Sequence, residues 1–179
     1  MGYTFESVTS DKHGSIISVA GYALPNVPHQ FCTVHIQRRC QTLLTKKPET
    51  QAGTELLELV LCINKISNHY EKEIFTKWLG RYESRWESFI NQRTYSKDPS
   101  IGKKWWYTHK NLRGSFRTLR SSISNMFYYL DNPNIPKDTN GLEAEFTHLK
   151  LKLNAHRGLT RKRRANFISW YWFLKPKVD

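Results

Sequence analysis

The sequence predicts an α/β protein that is mostly helical, and three observations carry that expectation. Two short stretches rich in β-branched and aromatic residues, Tyr3 to Thr9 and His29 to Ile36, bracket a helical segment. From Arg38 onward, apolar residues recur every three or four positions instead of every two. The surplus of positive over negative charge lies almost wholly in the second half, as suits a polyanionic partner.

Taken in order, Tyr3 to Thr9 reads as a strand ending at Ser10-Asp11, and Gly14 to Leu24 as a helix. Pro25 and Pro28 stop that helix, because proline lacks an amide hydrogen and crowds the turn before it. His29 to Ile36 suits a second buried strand, which completes a strand-helix-strand unit. The helical block that follows carries one stripe at Leu56, Leu57, Val60, Leu61 and Ile63. A second runs through Phe75, Trp78, Leu79, Tyr82, Trp86, Phe89 and Ile90. After a loop around Asp98-Pro99 and Gly102, Leu112, Phe116, Leu119, Ile123, Met126, Phe127 and Leu130 describe a third long amphipathic helix. Its polar face carries Lys110, Arg113, Arg117 and Arg120. Thr139-Asn140 can cap a helix that buries Leu142, Phe146, Leu149 and Leu153 and ends near Gly158. A final helix, from about Thr160 to Leu174, opens on Arg161-Lys162-Arg163-Arg164 and closes on Trp170, Tyr171, Trp172 and Phe173.

Of the 179 residues, 28 are Lys or Arg and 15 are Asp or Glu, a formal net charge of +13. Residues 1–92 are nearly balanced, with ten basic and nine acidic side chains, whereas 93–120 hold eight and one, and 139–179 hold nine and three. Two basic faces could flank one groove, and solvated helix faces are the plainer account. At 39% hydrophobic and 13% aromatic, the chain is too apolar for a disordered basic tail. The longest run without a charged side chain, Gly14 to Gln37, contains Pro25, Asn26, Pro28, His29 and Gln30, which a bilayer core would not tolerate. Glu6 and Asp11 sit where a secretory leader is positive, and Cys32, Cys40 and Cys62 make no disulfide framework. A cytoplasmic protein without a membrane partner is expected.

Asp11, at the expected end of a strand, and Glu143, in the first turn of a later helix, stand where carboxylates can converge on metal. Two hard oxygen donors suggest Mg²⁺ or Mn²⁺, as in phosphoryl transfer on DNA. The competing account is capping: Asn140-Gly141-Leu142-Glu143 has the spacing of a capping box, and Asp11 could cap the helix after it. Cys32 and His35, with Cys40 nearby, have half the spacing of a zinc site but lack a second pair. Lys103, Lys104, Trp105, Trp106 and Tyr107 place cations beside rings, which suits either unpaired DNA or a packed core. Lys150, Lys152, Arg157, Arg161, Lys162, Arg163 and Arg164 follow Glu143 directly and suit backbone phosphates better. Lys110 and Arg113 join them as candidate DNA contacts.

Several motifs then resemble one family. Val8-Thr9-Ser10-Asp11 followed by a helix, and Val27-Pro28-His29-Gln30-Phe31-Cys32-Thr33-Val34-His35, are similar to the second-aspartate region of Mutator-type bacterial insertion-sequence transposases, members of the DDE group. Tyr107-Thr108-His109-Lys110-Asn111-Leu112-Arg113 resembles part of their helical insertion. Thr139-Asn140-Gly141-Leu142-Glu143, Phe146-Thr147-His148-Leu149-Lys150 and His156-Arg157-Gly158-Leu159 resemble their third-acid helix and the segment after it.

The resemblance implies an RNase H-like fold in which three acids bind metal, cleave at transposon ends and join them to target DNA. Asp11 would be the second acid and Glu143 the third, with 131 residues between them. Residues 1–40 would form a partial RNase H-like core, 41–135 a helical insertion, and 136–179 the catalytic-acid helix and a basic C-terminal helix. Only about ten residues precede Asp11, so the first acid has no candidate, and Lys12 stands where a glycine commonly follows the aspartate. The implied protein is a truncated, nucleoid-associated DDE transposase with an incomplete core and little catalysis alone. Its partners would be transposon ends, target DNA and a further transposase chain. The alternative is a non-catalytic basic helical protein that binds transposon DNA or a full-length transposase.

Overall fold

A computed structural model describes residues 4–97, 102 and 104–175, which fall into two compact units, Met1–Asp138 and Thr139–Asp179. The first unit opens with strand β1 (Val8–Ser10), helix α1 (Gly14–Ala23) and strand β2 (His29–Phe31), the two strands pairing in parallel with Thr9 opposite Gln30. Helices α2 (Thr33–Leu44), α3 (Gln51–Cys62) and α4 (His69–Ile90) follow. An antiparallel hairpin of β3 (Arg93–Tyr95) and β4 (Trp105–Tyr107) leads into α5 (Lys110–Arg120), and short 3₁₀ turns at Ile123–Asn125 and Tyr128–Leu130 close the unit. The second unit is a pair of helices, α6 (Asn140–Ala155) and α7 (Arg161–Phe173). The α/β, mostly helical class is as the sequence predicts. Among the described residues, no helix is long and apolar enough to cross a membrane.

The core of the first unit forms where four helical stripes meet. Ile36, Cys40 and Leu44 of α2 are buried with Ala52, Leu56 and Val60 of α3, Phe75, Leu79 and Tyr82 of α4, and Leu112, Phe116 and Leu119 of α5. Spacings of three and four put each set on one helix face. A side chain as fully buried as Leu56 or Leu79 contributes on the order of 1.5–3 kcal/mol. Thr50 caps α3 by accepting the Gly53 amide, and Asn68 caps α4 by accepting the Glu71 amide. Glu71 reciprocates by accepting from the amide and hydroxyl of Ser67, and the Ser67 bonds hold its carboxyl below the usual range.

Four elements differ from expectation. The first strand spans only Val8–Ser10, where β2 pairs with it, and not Tyr3 to Thr9. The second strand stops at Phe31, because its partner β1 has only three residues to offer; from Thr33 the Ile36–Cys40–Leu44 stripe makes a helix instead. The long helix expected to reach Leu130 ends at Arg120, where the hydroxyls of Ser121 and Ser122 turn back onto the carbonyls of Arg117 and Thr118. The Trp-Trp-Tyr segment, expected inside a helical insertion, is a strand, in keeping with the β-preference of aromatic residues. Of the expected apolar stripes, Leu61, Trp78, Leu142 and Phe146 stay 41%, 50%, 51% and 43% exposed.

One polar side chain ties the strands to the helices. Gln30, fully buried, donates through Nε2 to the carbonyls of Phe31 and Met126 (both 2.8 Å) and accepts the Tyr128 amide at Oε1 (2.9 Å). Thr33 and Thr9 add bonds to the carbonyls of Lys137 and Pro136. Replacing Gln30 with Ala leaves buried backbone groups unpaired at about 1–3 kcal/mol each. Gln30→Ala is expected to lower unfolding free energy by about 3 kcal/mol in urea titrations followed by tryptophan fluorescence; a loss below about 1 kcal/mol would show that the clasp is replaceable.

Candidate nucleic-acid interface and acidic site

Asp11 follows β1 directly, and its backbone is held from both sides. The Cys32 amide donates to the Ser10 carbonyl (2.8 Å), and the Ser10 hydroxyl donates to the Asp11 carbonyl (2.7 Å). Since that bond uses the only hydroxyl hydrogen of Ser10, the 2.8 Å contact from His29 Nε2 must be donated by the imidazole. Asp11 Oδ1 is shut away from solvent and has no hydrogen-bond partner. Leaving a buried acceptor unpaired costs about 1–3 kcal/mol, more for a charged one, unless something supplied from outside satisfies it.

The same side chain lines a cleft of about 870 Å³ between α2, α4 and α5, in which cations outnumber acids. Arg113, Arg117 and Arg120 enter from one face of α5, at spacings of four and three, and Arg39 enters from α2. Arg113 is fixed: its Nε donates to Asn91 Oδ1 (3.1 Å) and its guanidinium lies 3.8 Å over the Tyr107 ring. Arg120 pairs with Glu83 at 3.1 Å. Among the described residues, Arg39 and Arg117 have no acidic partner, and both are exposed. Arg39 escapes sequence reading, and Arg117 shows there only as part of a helix face; nothing in the pattern reveals that α2 and α5 turn them toward Asp11.

Lys12 is structural. Its ammonium donates to Ser122 Oγ (3.0 Å), to Ser121 Oγ and to the Thr118 carbonyl (3.4 Å), and lies 5.6 Å from the centre of the Phe31 ring. It thus caps the C-terminal end of α5, where a cation is favoured. Burial pushes its pKa down, opposed by the neighbouring Cys40 thiol, itself pushed up by burial.

Glu143 lies in the second unit, four residues past the α6 cap Thr139. The Glu143 amide donates to the Thr139 carbonyl (2.9 Å), and the Thr139 hydroxyl donates to Glu143 Oε1 (2.9 Å). Thr139, not Asn140, is therefore the cap residue. Lys150 stands on the Glu143 face two turns on. Lys150, Lys152, Arg157, Arg161, Lys162, Arg163 and Arg164 are all exposed. Lys152 also lies 5.3 Å from the centre of the Tyr171 ring. The last four crowd the first turn of α7, where Thr160 accepts the Arg163 amide and the helix dipole disfavours cations.

The proposed aromatic and lysine contacts divide. Trp105 lies under the Arg93 guanidinium at 4.1 Å, and Tyr107 is covered by Arg113; Trp106, on the other face of β4, is exposed with Lys104 and Lys110. Lys103 lies outside the described residues.

For metal, the donor chemistry fits only in part. The unpartnered Asp11 oxygen suits a hard cation, but among the described residues no three Asp, Glu, His or Cys side chains gather closely enough to hold one. For zinc, His35 Nδ1 approaches Cys32 Sγ at 3.1 Å, while Cys40 is buried with its thiol directed to the Ser115 carbonyl.

A model of the Transposase IS66 family matches residues 10–164, a span that includes Asp11, Glu143 and the basic start of α7. The chain belongs to that family. Transposase resemblance at the sequence level is thereby shown, but the IS66 match gives no support to the Mutator type. No curated protein and no solved structure matches this IS66 member.

Burial lowers the His29 pKa below its ordinary 6.5. The unfolded chain therefore binds the proton first as pH falls through about 6.5, so this group's contribution is complete above that value and is lost below it. Stability of the parent is expected to fall on acidification through this window, with a shallower fall in His29→Asn; equal slopes in both proteins would exclude His29 as the cause.

Proposed function

We propose that this chain acts in DNA transposition by seating a phosphodiester backbone in the cationic cleft beside Asp11, with Asp11 and Glu143 as acids of a DDE-type active site. The observation that supports this most is the pairing of an unpartnered, buried carboxylate oxygen with the uncompensated guanidinium groups of Arg39 and Arg117 in one cleft. An arginine fork matches phosphate oxygens in pairs, and a positive wall concentrates a polyanion beside an acid that would otherwise repel it. Mg²⁺ or Mn²⁺, when bound, would supply Lewis-acid stabilisation of charge at the scissile phosphate, with Asp11 and Glu143 as its carboxylate ligands. The strand-helix-strand start is compatible with part of an RNase H-like core, with residues 41–135 as its helical insertion.

Lys12 and Ser10 then act as positioning residues, fixing the backbone on either side of Asp11. The exposed Arg161, Lys162, Arg163 and Arg164 would hold transposon or target DNA at the second unit, since phosphates relieve their conflict with the α7 dipole. A second reading keeps the grip without strand chemistry: the chain holds transposon DNA or another transposase chain. It is favoured by the lack of three gathered acids among the described residues.

Salt-dependent binding of duplex DNA tests the grip. Alanine at Arg161, Lys162, Arg163 and Arg164, or at Arg39 and Arg117, is expected to flatten the log–log slope by about 0.9 for each phosphate that is no longer neutralised. An unchanged slope would remove that group from the interface. For the acid, Mn²⁺ at a hundred times its dissociation constant is expected to add about 2.7 kcal/mol to parent stability, and Asp11→Ala to abolish the gain. The same gain in Asp11→Ala would place the metal elsewhere. Nicking or joining of DNA that Asp11→Ala and Glu143→Gln both abolish supports the enzyme over the binder; metal-independent binding alone supports the binder.

A further inference from the structure

We propose that the β3–β4 hairpin is a stacking site for unpaired nucleotides, with the Trp106 ring as the platform and Lys104 and Lys110 as its phosphate contacts. This rests on the DNA-binding reading above and adds to it the strand state that one surface takes.

The pairing register sorts the hairpin side chains by face. Arg93 stands opposite Tyr107 and Tyr95 opposite Trp105, so these four share one face, while Trp106 stands opposite Thr94 on the other. On the first face two of the three rings are already used: Arg93 covers Trp105 at 4.1 Å, Arg113 covers Tyr107 at 3.8 Å, and the two rings meet edge to face with centroids 5.2 Å apart, while Tyr95 is 64% exposed. Those contacts brace the hairpin against α5. Trp106 makes no ring contact and no cation–π contact among the described residues, and remains 41% exposed.

The strand thus carries one large ring, partly exposed, that no described ring or cation covers. A surface concavity of about 560 Å³ lies beside it, lined by Gly102, Lys104, Trp105, Trp106, Tyr107 and Lys110. Among the described residues its lining has two lysines and no acid, and neither lysine has an acidic partner. An apolar ring bordered by unpaired ammonium groups is complementary to a base carried on a phosphate backbone, whereas a purely apolar partner would leave both charges stranded. Duplex DNA keeps its base faces stacked inside and offers the ring nothing to cover. Unpaired DNA does.

The test uses the full chain with a single strand and a blunt duplex of equal length, read by fluorescence polarisation. Trp106→Ala is expected to weaken single-strand binding by about 5- to 150-fold, the span set by removing one base stack, and to leave duplex binding unchanged. Trp106→Phe should recover most of the affinity, and an unaltered far-ultraviolet circular dichroism spectrum with a cooperative unfolding transition shows that each variant folds. Undiminished single-strand binding by Trp106→Ala would overturn the proposal, whether the face is then idle or serves a protein strand added to the β4 edge. So would an equal weakening on both DNAs. Arg39→Ala with Arg117→Ala separates the two claims: it should weaken duplex binding if the cleft reading is right, whatever Trp106 does. A parent chain that bound neither DNA would remove both.

Discussion

The first unit depends on three hydrogen bonds from one buried amide. Two three-residue strands cannot hold themselves together, since an isolated parallel pair of that length offers too few bonds to offset the ordering of its backbone. Gln30 supplies the missing anchorage by joining β2 to the Met126–Tyr128 segment, which is itself packed through Met126 and Phe127 into the helical core. Through β2 this rigidity reaches β1, and through β1 it reaches Asp11. The backbone at Asp11 is thus fixed from behind by a polar group inside an apolar core.

Charge is organised around the same constraint. Lys12, adjacent to Asp11, is turned away onto the C-terminal hydroxyls and carbonyl of α5, so the nearest cation in sequence does not neutralise the acid. The positive wall comes instead from Arg39, Arg113, Arg117 and Arg120, arranged by helix packing. Arg113 and Arg120 are held by Asn91 and Glu83, whereas Arg39 and Arg117 keep their donors available, so one cleft combines fixed and adaptable guanidinium groups.

Long helices are legible in the sequence because their stripes repeat over several turns, as with Phe75, Leu79 and Tyr82. Short elements are not. Three residues give one and a half alternations, too few to separate strand from helix, so the pattern over-extends the strand at His29 to Ile36 and gives no strand at Trp105–Tyr107. The α5 stripe runs on through Ile123 and Leu130 because apolar spacing persists after Ser121 and Ser122 have turned the backbone. For the candidate site, Asp11 and Glu143 stand out as acids at the ends of elements, but whether they share a metal is a question of tertiary placement. Arg39 shows the same limit: on a sequence it is one more surface cation.

The start of α7 carries four like charges against the positive end of its own dipole. Dilute buffer leaves that repulsion unscreened, and added electrolyte weakens it. The same electrolyte loosens any grip on a polyanion. Were phosphates to bind there as proposed, order in this turn and hold on DNA would answer ionic strength in opposite senses.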